Sequence, residues 1–385
     1  MFRFLGRRLL QMGFLFIIFL TIVWFLLQLM PGDITDTLIG DPSIPLSTRL
    51  ELGERLGLNQ PLYLQYWTYI TNFFKGEMGV SFSQFPKDVS TILWEALPRT
   101  LVLFLSAALL SYALGFKSGK LIAWGRGGGT EQGFIVGGVF LQTVFYPWFA
   151  IVMLWTFGFF FGWFPIGRFI TVRVWQGSGV DASAVFRTMI LSVLIATLAY
   201  GVARYLIKRF SKNIVTEQWL LRLSLVIAVG GLILYWYFDP ARTYVADIAH
   251  HTVLPVITLG LVTFGATMLI TRSAMLETLG EDYILTARAK GLTDRVIRDR
   301  HAARNAMLPV TTSFVLALSF VIGGGIVTET IFSWPGMGLL FLQGIFLSDI
   351  PLVAGALAIT GVLALFGHLI ADIMYTILDP RIRLT

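Results

Sequence analysis

The chain contains no cysteine, and only 13% of its 385 residues are charged. Without cysteine there is no disulfide framework, no thiolate nucleophile and no Cys-ligated metal or cluster. The redox compartment is left open. The four histidines, His250, His251, His301 and His368, make no metal-ligand spacing such as H-E-x-x-H. His250 and His251 are adjacent, so on a helix they face different sides and read as polar residues at a helix end. Paired carboxylates and a nucleophile–base set are also missing, which argues against an intramembrane enzyme. A soluble domain is about a quarter charged. The shortfall here accompanies a hydrophobic content of 56%, more than one water-soluble core can take up without large apolar surface reaching solvent. A bilayer is the solvent that accommodates it.

Basic residues exceed acidic ones, 29 to 22, giving a net charge of +7. They lie between apolar runs, which fits the positive-inside rule better than a nucleic-acid surface. A spanning helix needs about 20 apolar residues. Residues 9–30 are uncharged and too long for a signal-peptide core, and no small-residue cleavage site follows them. They read as a first, uncleaved span. Further uncharged or weakly interrupted runs cover 100–116, 132–167, 188–203, 223–238, 252–271, 305–328 and 350–367. The 36-residue run 132–167 is too long for one simple crossing at about 1.5 Å per residue. It predicts one crossing plus an extended or re-entrant tail, kinked at Pro147. The expected fold class is therefore an all-α integral membrane protein, a polytopic helical bundle of about eight transmembrane helices.

With the N-terminus inside, 20 of the 29 Lys and Arg fall on the inner side and 9 on the outer. This places both termini and residues 272–308 in the cytoplasm and residues 31–98 outside. The outer segment carries Leu50, Leu52, Leu56 and Leu58 before Pro61, then an aromatic-rich stretch 63–74, a pattern expected of amphipathic helices on a membrane face.

Several motifs read as structure. "GFKSGKL" at 115–121 has three residues between its glycines where a phosphate loop needs four, and Leu121 stands in place of Ser or Thr. It is not a nucleotide site. "GRGGGT" at 125–130 lacks the following Lys and reads as a flexible inside turn. Gly133-x-x-x-Gly137 and Gly158-x-x-x-Gly162 are small-residue packing patterns. Gly323-Gly324-Gly325 reads as a close helix approach or a hinge. His368 and Asp372 share one face near the inner end of the last span and read as an interfacial anchor in preference to a proton relay. Glu329, at the outer end of its span, reads as a helix-end or gate contact.

The loop 272–308 is the most informative segment. Its sequence predicts a helix over 282–290 stopped by Gly291. A second helix starts at the N-cap residue Thr293, with Asp294 in its first turn, and carries Arg295, Arg298, Arg300 and Arg304. Two short helices around a glycine corner make a rigid projection suited to docking.

"ARAKG" followed by "RHAARNAMLP" resembles the coupling-loop motif of permeases in the oligopeptide/dipeptide class of ATP-binding-cassette importers, the inner-membrane components of binding-protein-dependent transport systems. The stretches "RLGLNQPLYLQYWTYITNFFKGEMGVSF", "HHTVLPVITLGL", "TETIFSWPGMGLL" and "DIMYTILDPRIR" resemble other parts of that family, in order. The resemblance covers residues 1–170 and 248–385. The general importer motif begins Glu-Ala-Ala, where this chain has Leu285, Thr286 and Ala287, a feature shared by the peptide subgroup. The family usually has six spans, so the hairpin at about 185–240 reads as an insertion.

The resemblance implies a type I importer-like bundle. Its expected parts are a first transmembrane helix (1–30), an external helical segment (31–98), transmembrane helices two and three (99–170), an inserted hairpin with flanking loops (171–247) and a permease core (248–385). It implies a non-catalytic peptide permease in a bacterial or archaeal cytoplasmic (inner) membrane. The same class carrying nickel, sugars or another small solute is the alternative, with an ATP-independent secondary transporter further off. The implied partners are a second homologous permease subunit, two ATPase subunits, an extracytoplasmic substrate-binding protein and membrane lipid, with no nucleic acid. No cofactor is expected on this chain, ATP and Mg being bound by the ATPase subunits. The coupling residues implied are Tyr283, Ala287, Arg288, Ala289, Lys290, Gly291, His301, Arg304 and Asn305.

Overall fold

The computed structural model describes residues 2–29, 60–125, 127–211, 214–321 and 325–378. The described residues form helices joined by turns. In chain order these are α1 (Phe2–Gln28), α2 (Leu62–Lys75), α3 (Val89–Trp124), α4 (Gly129–Thr143), α5 (Tyr146–Met153), α6 (Val172–Trp175), α7 (Ala182–Phe210) and α8 (Ile214–Phe238). There follow α9 (Arg242–Leu279), α10 (Asp282–Ala289), α11 (Asp294–Val296), α12 (Ala303–Val321), α13 (Ile326–Ile331), α14 (Met337–Phe346) and α15 (Ile350–Leu378). Two π-helical stretches, Leu154–Phe160 and Ile297–Ala302, continue α5 and α11.

Among the described residues, six helices are long and apolar enough to cross a membrane: α1, α3, α7, α8, α9 and α15. A seventh arises if α4 and the helix Tyr146–Phe160 count as one span, and these are bent by 108°. Seven of the eight expected runs thus have a counterpart among the described residues when the bent pair is taken as one span. The remaining stretch, 305–328, is divided between α12 and α13, and Gly323 and Gly324 lie outside the described residues. The bend in the 132–167 run falls before Tyr146, and Pro147 sits in the first turn of α5. Proline's missing N–H has no intrahelical partner to lose there, so it starts a helix instead of kinking one. The first amphipathic stretch expected in 31–98 also lies outside the described residues.

By internal packing the chain divides into two units, one of Met1–Trp155 with Pro255–Thr385, the other of Thr156–Leu254. In the first, the start of α3 (Val89, Ile92, Leu93, Ala96, Leu97) packs on Met337 and Leu340 of α14 and on Leu352, Ala356 and Ile359 of α15. Val23 and Leu27 of α1 meet Ile350, Val353 and Ala354 of α15, and Arg8 pairs with Asp372 at 3.4 Å. Asp372 is thus an interhelical partner. The helix α2 follows the aromatic-rich stretch and ends at Gly76 in the left-handed conformation. Its Ile70 is buried with Phe16 and Leu20 of α1, while Tyr63, Trp67 and Phe74 stay exposed.

Bare backbone decides two helix contacts. A Cβ on Gly265 of α9 would overlap the backbone of Gly138 on α4, and one on Gly119 of α3 would stand 2.6 Å from the Met268 carbonyl of α9. Only glycine lets helices approach this closely. The glycine patterns singled out by spacing behave otherwise. A Cβ at Gly133 or Gly137 meets nothing within 4 Å in this chain, and Gly162 is a turn residue at φ +63°. Four-residue spacing marks a face, and what lies opposite that face is settled by tertiary structure.

In the second unit, Asp181 caps α7 by accepting from the Ser183 and Ala184 N–H groups. Trp236 of α8 donates to Ser192 of α7 at 3.0 Å. The most apolar window of each of these two helices contains no buried residue, so both present apolar side chains outward. The loop before α7 is clamped by the start of α9. Asp247 accepts from Thr171 N and Trp175 Nε1 at 2.9 and 2.8 Å. His250 bonds the Trp163 carbonyl, and His251 bonds the Gly167 and Arg168 carbonyls. The adjacent histidines do face different sides, and each fastens a different part of the loop.

Candidate functional site

The helix α10 ends one residue earlier than its sequence signal, with Lys290 as C-cap and Gly291 at φ +73°. The Leu292 N–H donates to the Ala287 carbonyl at 3.3 Å and the Gly291 N–H to the Arg288 carbonyl at 2.9 Å. These two bonds make a Schellman motif, which requires a left-handed residue at the position of Gly291. Thr293 adopts the extended backbone of an N-cap, but its side chain makes no cap bond. The second helix is only three residues of α before it widens into the π turn and runs into α12.

What makes the corner rigid is a core of its own. Ile284 and Ala287 of α10 are buried against Ile297, Ala302, Ala303 and Ala306 of the return helix, and against Ala274 and Met275 of α9 and Ala123 of α3. Removing this much apolar surface from water holds a helix too short to persist alone. Tyr283 packs at its edge, and its hydroxyl accepts from Asn305 Nδ2 at 2.9 Å. The nine residues expected at the site therefore separate by role. Ala287, Tyr283 and Asn305 hold the two helices together. Arg288, Ala289, Lys290 and Gly291 form the exposed corner, and Arg304 is exposed on the return helix. His301 is half-buried beside them.

Two ion pairs at this end of the molecule join residues far apart in sequence. Asp299 of the π turn pairs with Lys120 of α3 at 3.0 Å and with Arg298 at 2.9 Å. The Arg298 hydrogen bonds, joined by the Lys120 ammonium, hold the Asp299 carboxyl well below the usual carboxylate range. Asp299 is therefore a carboxylate throughout pH 5–8. On α9, Arg272 donates to the buried Glu131 of α4, which also accepts from the Gly127 N–H at 2.7 Å. The Gly-rich turn read as flexible is thus tied down by a carboxylate. Neither pair has a signature in spacing, since their members lie 179 and 141 residues apart.

Twenty residues before Lys120 on α3, at Thr100, a second polar cluster is buried. Thr100 donates to Glu329 of α13 at 2.7 Å and accepts from the Met337 N–H at 2.8 Å. The other Glu329 oxygen accepts from Leu339 N at 2.9 Å, and Trp334 donates from Nε1 to the Arg99 carbonyl at 3.2 Å. Glu329 and Trp334 are fully buried.

Known proteins share sequence with this multi-pass helical chain over most of its length. Residues 219–384 match the family described as binding-protein-dependent transport system inner membrane component, and residues 1–103 match the N-terminal region of such membrane components. The oligopeptide transport system permease protein AppB of Bacillus subtilis is 30% identical over 353 residues, covering 92% of this chain and 90% of that protein. The dipeptide transport system permease protein DppB of Escherichia coli K12 is 30% identical over 364 residues, covering 92% and 91%. The di/tripeptide transport system permease protein DppB of Pseudomonas aeruginosa is 29% identical over 358 residues, covering 93% and 92%. With the motif, the helices and these relatives in agreement, the chain belongs to the family of inner-membrane permease components of binding-protein-dependent transport systems.

Proposed function

We propose that this chain is one of two permease subunits of an ATP-driven peptide importer, and that the corner at Gly291 seats in a groove of a separate ATPase subunit. The corner carries the reading: a Schellman-stopped helix, braced from behind by its own apolar core, with Arg288 and Lys290 exposed at its tip. Peptide as substrate rests on the relatives, which are peptide permeases by name over nine-tenths of the chain. ATP and Mg²⁺ belong to the ATPase subunits, a second permease completes the path, and an extracytoplasmic binding protein delivers the peptide. ATP-driven closure of the ATPase pair biases the bundle between two states through differential contact with the corner.

The test is reconstitution of the chain with its partners in proteoliposomes. Labelled di- to pentapeptides should accumulate only with ATP and binding protein. Uptake that is displaced by a sugar or by nickel, and not by unlabelled peptide, would overturn the peptide reading.

The proposed orientation puts both termini and the corner in the cytoplasm, following the 20-to-9 bias of basic residues. Because the chain has no cysteine, single cysteines report cleanly. Lys87→Cys should react with an impermeant maleimide from outside intact cells, and Thr293→Cys only after permeabilisation. Labelling of both from outside would sink the orientation.

A further inference from the structure

The two polar clusters lie on one helix. Lys120 and Thr100 are 20 residues apart on α3, or about 30 Å at 1.5 Å per residue, the thickness of a bilayer's hydrocarbon core. At the C-terminal end, Lys120 pairs with Asp299 while Ala123 is buried in the core of the corner. In the N-terminal third of α3, Thr100 keys the α13–α14 turn through Glu329 and the Met337 N–H, and Trp334 closes on the Arg99 carbonyl. There is no slack at this turn, since a Cβ on Gly336 would overlap the Glu329 carboxylate and stand 2.5 Å from the Thr100 hydroxyl.

Between these ends α3 is held by stiff contacts. Gly115 and Gly119 bring its backbone against Thr267, Met268 and Thr271 of α9. Tyr112 stacks edge-on against Phe314 of α12 at 4.5 Å and shares a hydrogen bond with Ser313 at 3.1 Å. The single proline of α3, Pro98, precedes Thr100, so the helix between the joints carries no proline break. A close-packed helix passes displacement along its axis because packed interiors compress little.

We propose that α3 is the connecting rod of this permease, with Lys120–Asp299 as its input joint and Thr100–Glu329 as its output joint at the opposite membrane face. The inference rests on the docking reading given above and adds positioning residues to it, none of which touches substrate or nucleotide. Motion of the corner pulls on Asp299, α3 follows, and the α13–α14 turn is displaced through Thr100. The hydroxyl suits an output joint because it donates to a carboxylate and accepts from a backbone N–H at once.

The experiment uses the whole reconstituted complex and reads assembly, ATP hydrolysis stimulated by loaded binding protein, and uptake per ATP consumed. Lys120→Met and Thr100→Val should each assemble and hydrolyse ATP, with uptake per ATP falling about tenfold. The double variant should be no worse than the poorer single, because serial links do not add. Lys120→Arg and Thr100→Ser, which keep the cation and the hydroxyl, should return to within about twofold of wild type. If Thr100→Val does not assemble, the near-isosteric Glu329→Gln is read in its place.

Unchanged uptake per ATP in the single variants overturns the rod, as do losses that multiply in the double variant. Gly291→Val separates this from failure of the docking reading. Gly291→Val without effect removes the docking corner itself. Gly291→Val uncoupled beside wild-type Lys120→Met removes the rod alone.

Discussion

Gly291→Val is expected to reduce ATP-dependent uptake at least tenfold, while binding of peptide by the external binding protein is unchanged. The cause is backbone strain and not collision, since a Cβ at Gly291 would meet nothing within 4 Å. At φ +73° an L side chain costs about 1 kcal/mol or more, and a β-branched one costs more still. Relief comes by breaking the bonds from Leu292 to Ala287 and from Gly291 to Arg288, which unwinds the last turn of α10 and displaces Arg288 and Lys290. A tenfold loss corresponds to about 1.4 kcal/mol, within that strain. A series should grade the effect: Gly291→Asn mildest, because Asn tolerates the left-handed region, then Ala, then Val. Wild-type uptake, hydrolysis and assembly in Gly291→Val would remove the corner from the mechanism.

Asp349→Ala is expected to be the most damaging single change for stability. Asp349 is fully buried, and one carboxylate oxygen accepts from Ser81 Oγ at 2.5 Å, Ser83 N at 2.9 Å and Ser83 Oγ at 2.7 Å. The other accepts from Leu352 N at 3.2 Å, the capping bond of α15. Hydrogen bonds to a charged group contribute about 1.5–3 kcal/mol each, and of the donors left without an acceptor the Ser81 hydroxyl is buried while those of Ser83 can reach water. Losing an N-cap costs about 1 kcal/mol more. A total of roughly 3 kcal/mol or more should lower the thermal midpoint of the detergent-solubilised complex by several degrees and cut its yield. Asp349→Asn, which keeps one acceptor oxygen, should fall between. A midpoint within 1 °C of wild type for Asp349→Ala would show that the latch contributes nothing.

The candidate corner was legible because its signals are local. A glycine after a helix-period run, followed by a Thr-Asp start, reports backbone preferences that act within a turn, and the structure places Gly291 at positive φ. The membrane class was equally legible, since a run of about 20 apolar residues has few other solutions. The angle within 132–167 was less so. Pro147 marked a break, but the same residue kinks a helix or begins one, and here it lies in the first turn of α5.

By itself, the sequence determined the solvent, the helical class and the place of the turn at Gly291, because each depends on composition or on neighbours within a few positions. Only the tertiary structure decided which distant groups meet. It joined Lys120 to Asp299, Glu131 to Arg272, Thr100 to Glu329 and Ser81 to Asp349. It also decided which glycines face a neighbouring backbone, giving that role to Gly119 and Gly265 and not to Gly133 or Gly137. A buried carboxylate is tolerated only beside donors that satisfy it, and donors brought from 141 to 268 residues away leave no trace in local pattern.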